Sequence, residues 1–376
     1  ALKLLPDQPD TIDGDFFRVR IGLGRALKFT AELAEAGRRL SEVVQQLTES
    51  RLALNAASAW GSLVDSLLEL ADVRQREGVY AEALTLLEAG LQVIEQAGAH
   101  QQSLQWLSLF DRMAWIRFRQ GQLEEAAALA HFATADLTVE NTADPIRLAS
   151  LYNTLGGICW QQGKLEQAIG HVEGSLQLHT GIGYLWGQAV AYGNLCILND
   201  AQGNWSRAVD YYQQAYNLQE KIGDRQNQAT TVINLATMHM QLGHHEAAGQ
   251  DLERGLSIAR QLGDTWGTAV CQVNMAELAL LQSDLKLAKG QAEEALALAD
   301  EIGSTEIQIQ ACCCLALALA GDQPEESLDT ADQALKMAQE ARLLAEEANC
   351  YRALGILAGR AGRYDQAETY LGEAVE

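Results

Sequence analysis

Residues Gly183 to Gly303 repeat with a period of 40. Copies start at Gly183, Gly223 and Gly263, and landmarks recur at the same offset: Ala189, Ala229, Ala269; Asn194, Asn234, Asn274; Ala208, Ala248, Ala288. A repeat of this length is one supersecondary unit that cannot bury its apolar face alone, so copies must stack. The chain is therefore expected to be an array whose 376 residues count repeats rather than ordinary domains.

One anchor carries the pattern beyond these copies. A small residue is followed five positions later by Ala, as Gly78–Ala83, Gly121–Ala126, Gly163–Ala168, Gly203–Ala208, Gly243–Ala248, Ser283–Ala288 and Gly362–Ala367. The missing turn between Ser283 and Gly362 falls at Gly321-Asp322-Gln323-Pro324, with Pro324 at a helix start, where Pro is tolerated. Gly ends one helix where positive φ is often required, and Ala lets the next helix approach closely. Apolar residues between the anchors keep helical spacing, as in Ala208, Tyr212, Ala215 and Leu218. The count is about eight helical hairpins, or some sixteen helices. Two helical patterns between Phe16 and Leu47 read as a degenerate first repeat, after a lead-in over residues 1–15, so a single array is expected over 16–376.

Leu155-Gly156, Gly163 and Ala168, with Asn194-Leu195, Gly203, Ala208, Tyr212 and Ala215, resemble the tetratricopeptide (TPR) repeat, as do Leu354-Gly355, Gly362 and Ala367. That resemblance implies an all-α, right-handed superhelical solenoid. Two departures stand out. The usual Gly is replaced by Cys196, Ala236 and Ala276, and the period is 40 rather than 34. Turns such as Ile222-Gly223-Asp224 and Leu262-Gly263-Asp264 resemble the long repeats of the maltose-regulon activator family and of Pins-type polarity adaptors. Leu4-Leu5-Pro6-Asp7 and Leu23-Gly24-Arg25-Ala26-Leu27 resemble the start of the repeat region in bacterial signal-transduction ATPases with numerous domains (STAND), some attached to nucleotide cyclases.

Charge and composition narrow the function. Asp and Glu outnumber Lys and Arg 50 to 27, for a net charge of −23, and no basic run exceeds a pair such as Arg38–Arg39. Direct nucleic-acid binding, which needs clustered cations, is not expected. The seven cysteines follow no disulfide or metal spacing, so buried free thiols in a reducing cytoplasm are expected. No apolar run approaches the ~18–20 residues of a membrane span. The start at Ala1 and the end at Glu376 within a helical pattern lead us to expect a fragment of a longer protein.

No motif carries chemistry. Gly163-Lys164-Leu165 has Leu where a phosphate loop needs a hydroxyl. His244-His245-Glu246 lacks the spacing that sets two ligands on one helix face, and the adjacent thiols of Cys312, Cys313 and Cys314 point ~100° apart, which prevents a shared metal ion. We expect no catalytic residues, metal or cofactor in this segment, and read it as a non-enzyme.

What remains is a binding surface. The TPR resemblance implies that the first helix of each hairpin lines the concave face. Counted from the anchor, the second unit offers Asp65, Leu68, Asp72, Gln75 and Arg76. The third offers Ser108, Asp111, Trp115, Phe118 and Arg119, and the fourth Asn153, Trp160 and Gln161. Later units contribute Asp200, then Thr237, Met240 and Gln241, then Glu277. Aromatics beside Arg and Asn suit a hot spot for a peptide, a protein segment or a small effector, so partner binding is expected at Asp72, Arg76, Asp111, Trp115, Phe118, Arg119, Asn153, Trp160 and Gln161. Trp186 and Trp266, forty residues times two apart, are expected to seal repeat junctions. The resemblance implies the sensor of a STAND-type ATPase or regulator, whose ligand shifts a closed state towards an open, oligomerising one. A constitutive scaffold and a recruitment arm for an attached cyclase or protease are the alternatives.

Overall fold

The computed structural model describes residues 14–29, 32–54, 59–98, 104–135, 137, 142 and 144–375. Most of the lead-in, including Leu4-Leu5-Pro6-Asp7, lies outside them. The described residues form eighteen helices, two more than the sixteen expected, and no strand; the all-helical class is the one that the composition and the 3.6-residue spacing predict. The chain divides into two compact units, residues 1–187 and 188–376.

The first unit holds α1 (Gly14–Phe29), α2 (Leu33–Leu54), α3 (Ala59–Arg76), α4 (Tyr80–Gln96), α5 (Leu104–Arg119), α6 (Leu123–Thr134), α7 (Pro145–Gln161) and α8 (Leu165–Gly181). The second holds nearly all of α9 (Leu185–Ala201), then α10 (Trp205–Ile222), α11 (Arg225–Gln241), α12 (His245–Leu262), α13 (Thr265–Leu281) and α14 (Leu285–Ile302). It closes with α15 (Thr305–Leu319), α16 (Pro324–Ala341), α17 (Leu344–Arg360) and α18 (Tyr364–Glu373). Within each unit consecutive helices pair as hairpins, and each hairpin packs on the next. Eight hairpins carry the small-residue turn or its Asp322 equivalent, and α1–α2 is the degenerate pair before them.

The turns show why the anchor has its residue types. Gly163 adopts φ 72°, its N–H donates to Trp160 O at 2.9 Å, and Lys164 N–H donates to Cys159 O at 2.8 Å. These two bonds satisfy carbonyls left open at a helix end. Gly243 repeats the arrangement with His244. Ser283 holds the same position at φ 61°, the left-handed region that favours Gly. The inter-repeat Gly-Asp has a second logic. Gly223 and Gly263 cap α10 and α12 in left-handed conformation, and the next residue caps the following helix: Asp224 accepts from Asn227 N–H, and Asp264 from Gly267 N–H at 2.9 Å.

The anchor alanines are all buried. In the Leu-Gly repeats the approach is tighter still. A Cβ on Gly156 would meet Val172 Cγ2 at 2.7 Å, and one on Gly355 would meet Leu371 Cγ at 2.7 Å. Cys196, Ala236 and Ala276 fill the equivalent positions and are fully buried, so these hairpins leave room for a small side chain. The first unit's core is built on bulky residues such as Leu107, Leu109, Ile116 and Leu151. A cluster in the second unit is alanine-rich, with Ala292, Ala295 and Ala299 between α13 and α15.

Candidate ligand-binding groove

In the second unit the first helices of successive hairpins, α11, α13, α15 and α17, lie side by side. They line a cavity of about 590 Å³. α11 supplies Thr237, Met240 and Gln241, and α13 supplies Glu277, Leu280 and Leu281, the same register forty residues on. α15 adds Gln310, Cys313, Cys314 and Leu317; α17 adds Asn349, Arg352, Ile356 and Arg360. The volume lies within the range of about 300–1,000 Å³ typical of ligand pockets, and apolar walls with a few polar groups are the usual composition of one.

The polar groups are unequally satisfied. Glu346 is buried beside the cavity and accepts from Gln310 Nε2 at 2.8 Å and Asn349 Nδ2 at 3.2 Å. Arg360 donates to Leu317 O at 3.3 Å. Glu277 and Arg352 make no hydrogen bond or ion pair among the described residues. Burial pushes the Glu277 carboxyl above its usual range; Arg352 opposes the shift and Glu346 adds to it. In the wall itself, Cys313 Sγ lies 3.5 Å from Cys350 Sγ. That contact and burial push the Cys313 thiol up, and burial does the same to Cys314 and brings Cys312 to about 11. All seven cysteines are free and buried. No group of three or more His, Cys, Asp or Glu among the described residues could hold a metal ion.

The residues expected to bind a partner in the first unit sit differently. Asp72 on α3 is buried and ion-paired to Lys28 Nζ at 2.6 Å, Arg112 at 2.7 Å and Arg76 at 3.3 Å. Lys28 also binds Glu69, which Arg25 engages at 2.7 Å. Burial alone would raise the Asp72 pKa, but Arg112 and Lys28 outweigh it and hold it at about 2. Asp111 on α5 is buried against Arg147 at 3.3 Å, and desolvation raises its pKa. Trp115 packs on the core, with the Arg119 guanidinium 5.5 Å from its ring centroid. Phe118 covers Gly157, where a Cβ would come within 3.0 Å of its ring. On α7, Trp160 is 46% exposed, Gln161 is exposed, and Asn153 Oδ1 is buried without a partner among the described residues. Trp186 and Trp266, expected at sealed junctions, are 51% and 52% exposed.

Thr237, Met240, Gln241 and Glu277 thus line the cavity as the anchor register predicts. Gln310, Asn349, Arg352 and Ile356 escaped sequence reasoning. The seventh turn, Gly321-Asp322-Gln323-Pro324, has no small residue followed five positions later by Ala, which removes the mark from which α15 would be counted. Arg352, ten residues before Gly362, was within reach of the last anchor.

Residues 147–221 and 227–301 each match the family described as tetratricopeptide repeat. Those two segments are tetratricopeptide repeats. Solved structures agree on the fold. The apo form of RapI superposes with a TM-score of 0.77 at 11% identity, over 96% of each chain. A STAND protein with a TPR sensor from Pyrococcus horikoshii gives 0.61 at 15% identity; the match covers 90% of this chain and 52% of that one, so this chain spans about half its length. A Rap protein complexed with Competence and Sporulation Factor gives 0.59 at 12% identity, over 96% and 97%. No curated protein matches this chain by sequence. No helix among the described residues is long and apolar enough to cross a membrane.

Proposed function

We propose that this chain is a non-catalytic sensor segment whose second unit binds a peptide or protein segment in the groove of α11, α13, α15 and α17. The observation that carries the reading is the cavity itself: four successive first helices present apolar walls with uncommitted charged groups between them. Structural neighbours support it, since one is a Rap protein solved with a bound factor and another a STAND protein with a TPR sensor. On this reading the segment reports ligand to a signalling ATPase or other regulator in the cytoplasm. Binding shifts the population of that regulator by as much as the ligand prefers one state over the other.

A second contact surface is proposed on α5 and α7. The exposed Trp160 beside Gln161, and the unpartnered Asn153 Oδ1, favour it. Trp115, Phe118, Asp72 and Asp111 hold the neighbouring helices through the packing and ion pairs already described, and Arg76 and Arg119 are exposed on α3 and α5.

A library of blocked hexapeptides panned on the full chain tests the groove, with the α5–α7 surface as its control. Ile356→Trp fills the groove and is expected to weaken selected peptides at least tenfold at unchanged helicity. Trp160→Ala is expected to leave them bound. Undiminished binding by the Ile356→Trp variant contradicts the groove assignment.

A further inference from the structure

The groove holds one acid and one base that the protein leaves unpaired. Glu277 on α13 and Arg352 on α17 both line it, and neither forms a hydrogen bond or an ion pair among the described residues, with each other or with anything else. The remaining charged neighbours are committed: Glu346 to Gln310 and Asn349, and Arg360 to Leu317 O. An unpaired charge in a partly desolvated site is costly, and a ligand that supplies its partner recovers that cost. A ligand with only an acid leaves Glu277 unpaired, and one with only a base leaves Arg352 unpaired. Met240, Leu280, Leu281 and Ile356 form the apolar walls of the same cavity.

Two amides sharpen the ligand's nature. Gln310 and Asn349 each turn an NH₂ towards the Glu346 carboxylate, which can only accept. Each amide keeps its carbonyl oxygen and a second N–H, so it can accept from and donate to the N–H and C=O groups of a peptide backbone. We propose that the occupant is a peptide segment carrying an acidic and a basic side chain on either side of an apolar one, the acid seated on Arg352 and the base on Glu277. The inference rests on the groove reading and specifies its ligand. The chain's net charge of −23 is consistent with it: long-range attraction favours a basic group on the approaching segment, while Arg352 selects the acid locally.

The probe is a random hexapeptide library with acetylated N-termini and amidated C-termini, so that only side chains carry charge. It is panned on the full chain as wild type, Arg352→Glu, Arg352→Gln, Glu277→Gln and the double swap Glu277→Arg/Arg352→Glu. Wild type is expected to enrich peptides with both signs. By fluorescence anisotropy, those peptides should lose at least tenfold in affinity for Arg352→Gln and for Glu277→Gln. Arg352→Glu should stop selecting acidic residues, and the double swap should select both signs in reversed order. Peptides whose charges are the same across all five proteins overturn the inference while leaving the groove reading standing. Failure of every protein, each shown folded by circular dichroism, to enrich any peptide overturns the groove reading as well.

Discussion

Asp72 and Glu277 occupy the same place in their repeats, six residues before the turn residues Gly78 and Ser283. In the first unit Asp72 is closed in by Lys28, Arg76 and Arg112, and its pKa falls to about 2. In the second, Glu277 has no ion-pair partner among the described residues, faces a cavity, and its pKa rises. One register position thus does two jobs. Where neighbouring first helices supply cations, the acid fastens helix to helix. Where they do not, it remains available to something outside the chain.

The largest expected effect tests the fastened side. Asp72→Ala leaves the buried Lys28 and the partly buried Arg112 short of a partner and should cost about 3–5 kcal/mol of stability, read by urea unfolding with hydrogen exchange assigned to α1, α3 and α5. A loss near zero would mean the network is replaceable and that the two acids differ less than their surroundings suggest.

Acid should separate the two residues by sign. The folded pKa of Asp72 lies below its ordinary 3.8, so its contribution of about 2 kcal/mol is present above pH 4 and lost as pH falls towards 2. Glu277 behaves oppositely. Its folded pKa lies above the ordinary 4.5, so its contribution is present below that pH and lost as pH rises through the folded value. Carboxyl titrations by NMR, residue by residue, check both directions.

Smaller effects sharpen the second unit. Ser283→Gly relieves a left-handed serine in the turn next to Glu277 and should raise stability by about 1 kcal/mol, against a loss for Gly243→Ala at the matching turn. Glu277→Gln should raise the melting temperature slightly, because it removes a charge that burial disfavours. A fall on that substitution would show that Glu277 has a partner in the folded chain.

Most of the fold was legible in the sequence, because the turn geometry demands its residue types. Gly163 and Gly243 need left-handed backbone, and Asp224 and Asp264 must accept a helix N–H, so a period could be read through diverged residues. The register also carried Thr237, Met240, Gln241 and Glu277 to the cavity wall. What could not be read was pairing. Nothing in the sequence marks Arg112 as the partner of Asp72, forty residues away, or Arg147 as the partner of Asp111, since ion pairs between adjacent first helices depend on side-chain reach across the packed layer. Aromatic content therefore pointed to the first unit, while its acids were already engaged.

Photo-crosslinking decides most directly between the two units. Hexapeptides selected on the wild-type chain and bearing a benzophenone group are irradiated in complex and mapped by mass spectrometry. The account predicts crosslinks to α11, α13, α15 and α17, around Met240, Leu281 and Ile356. Crosslinks confined to α5 and α7, around Trp115 and Trp160, would contradict it.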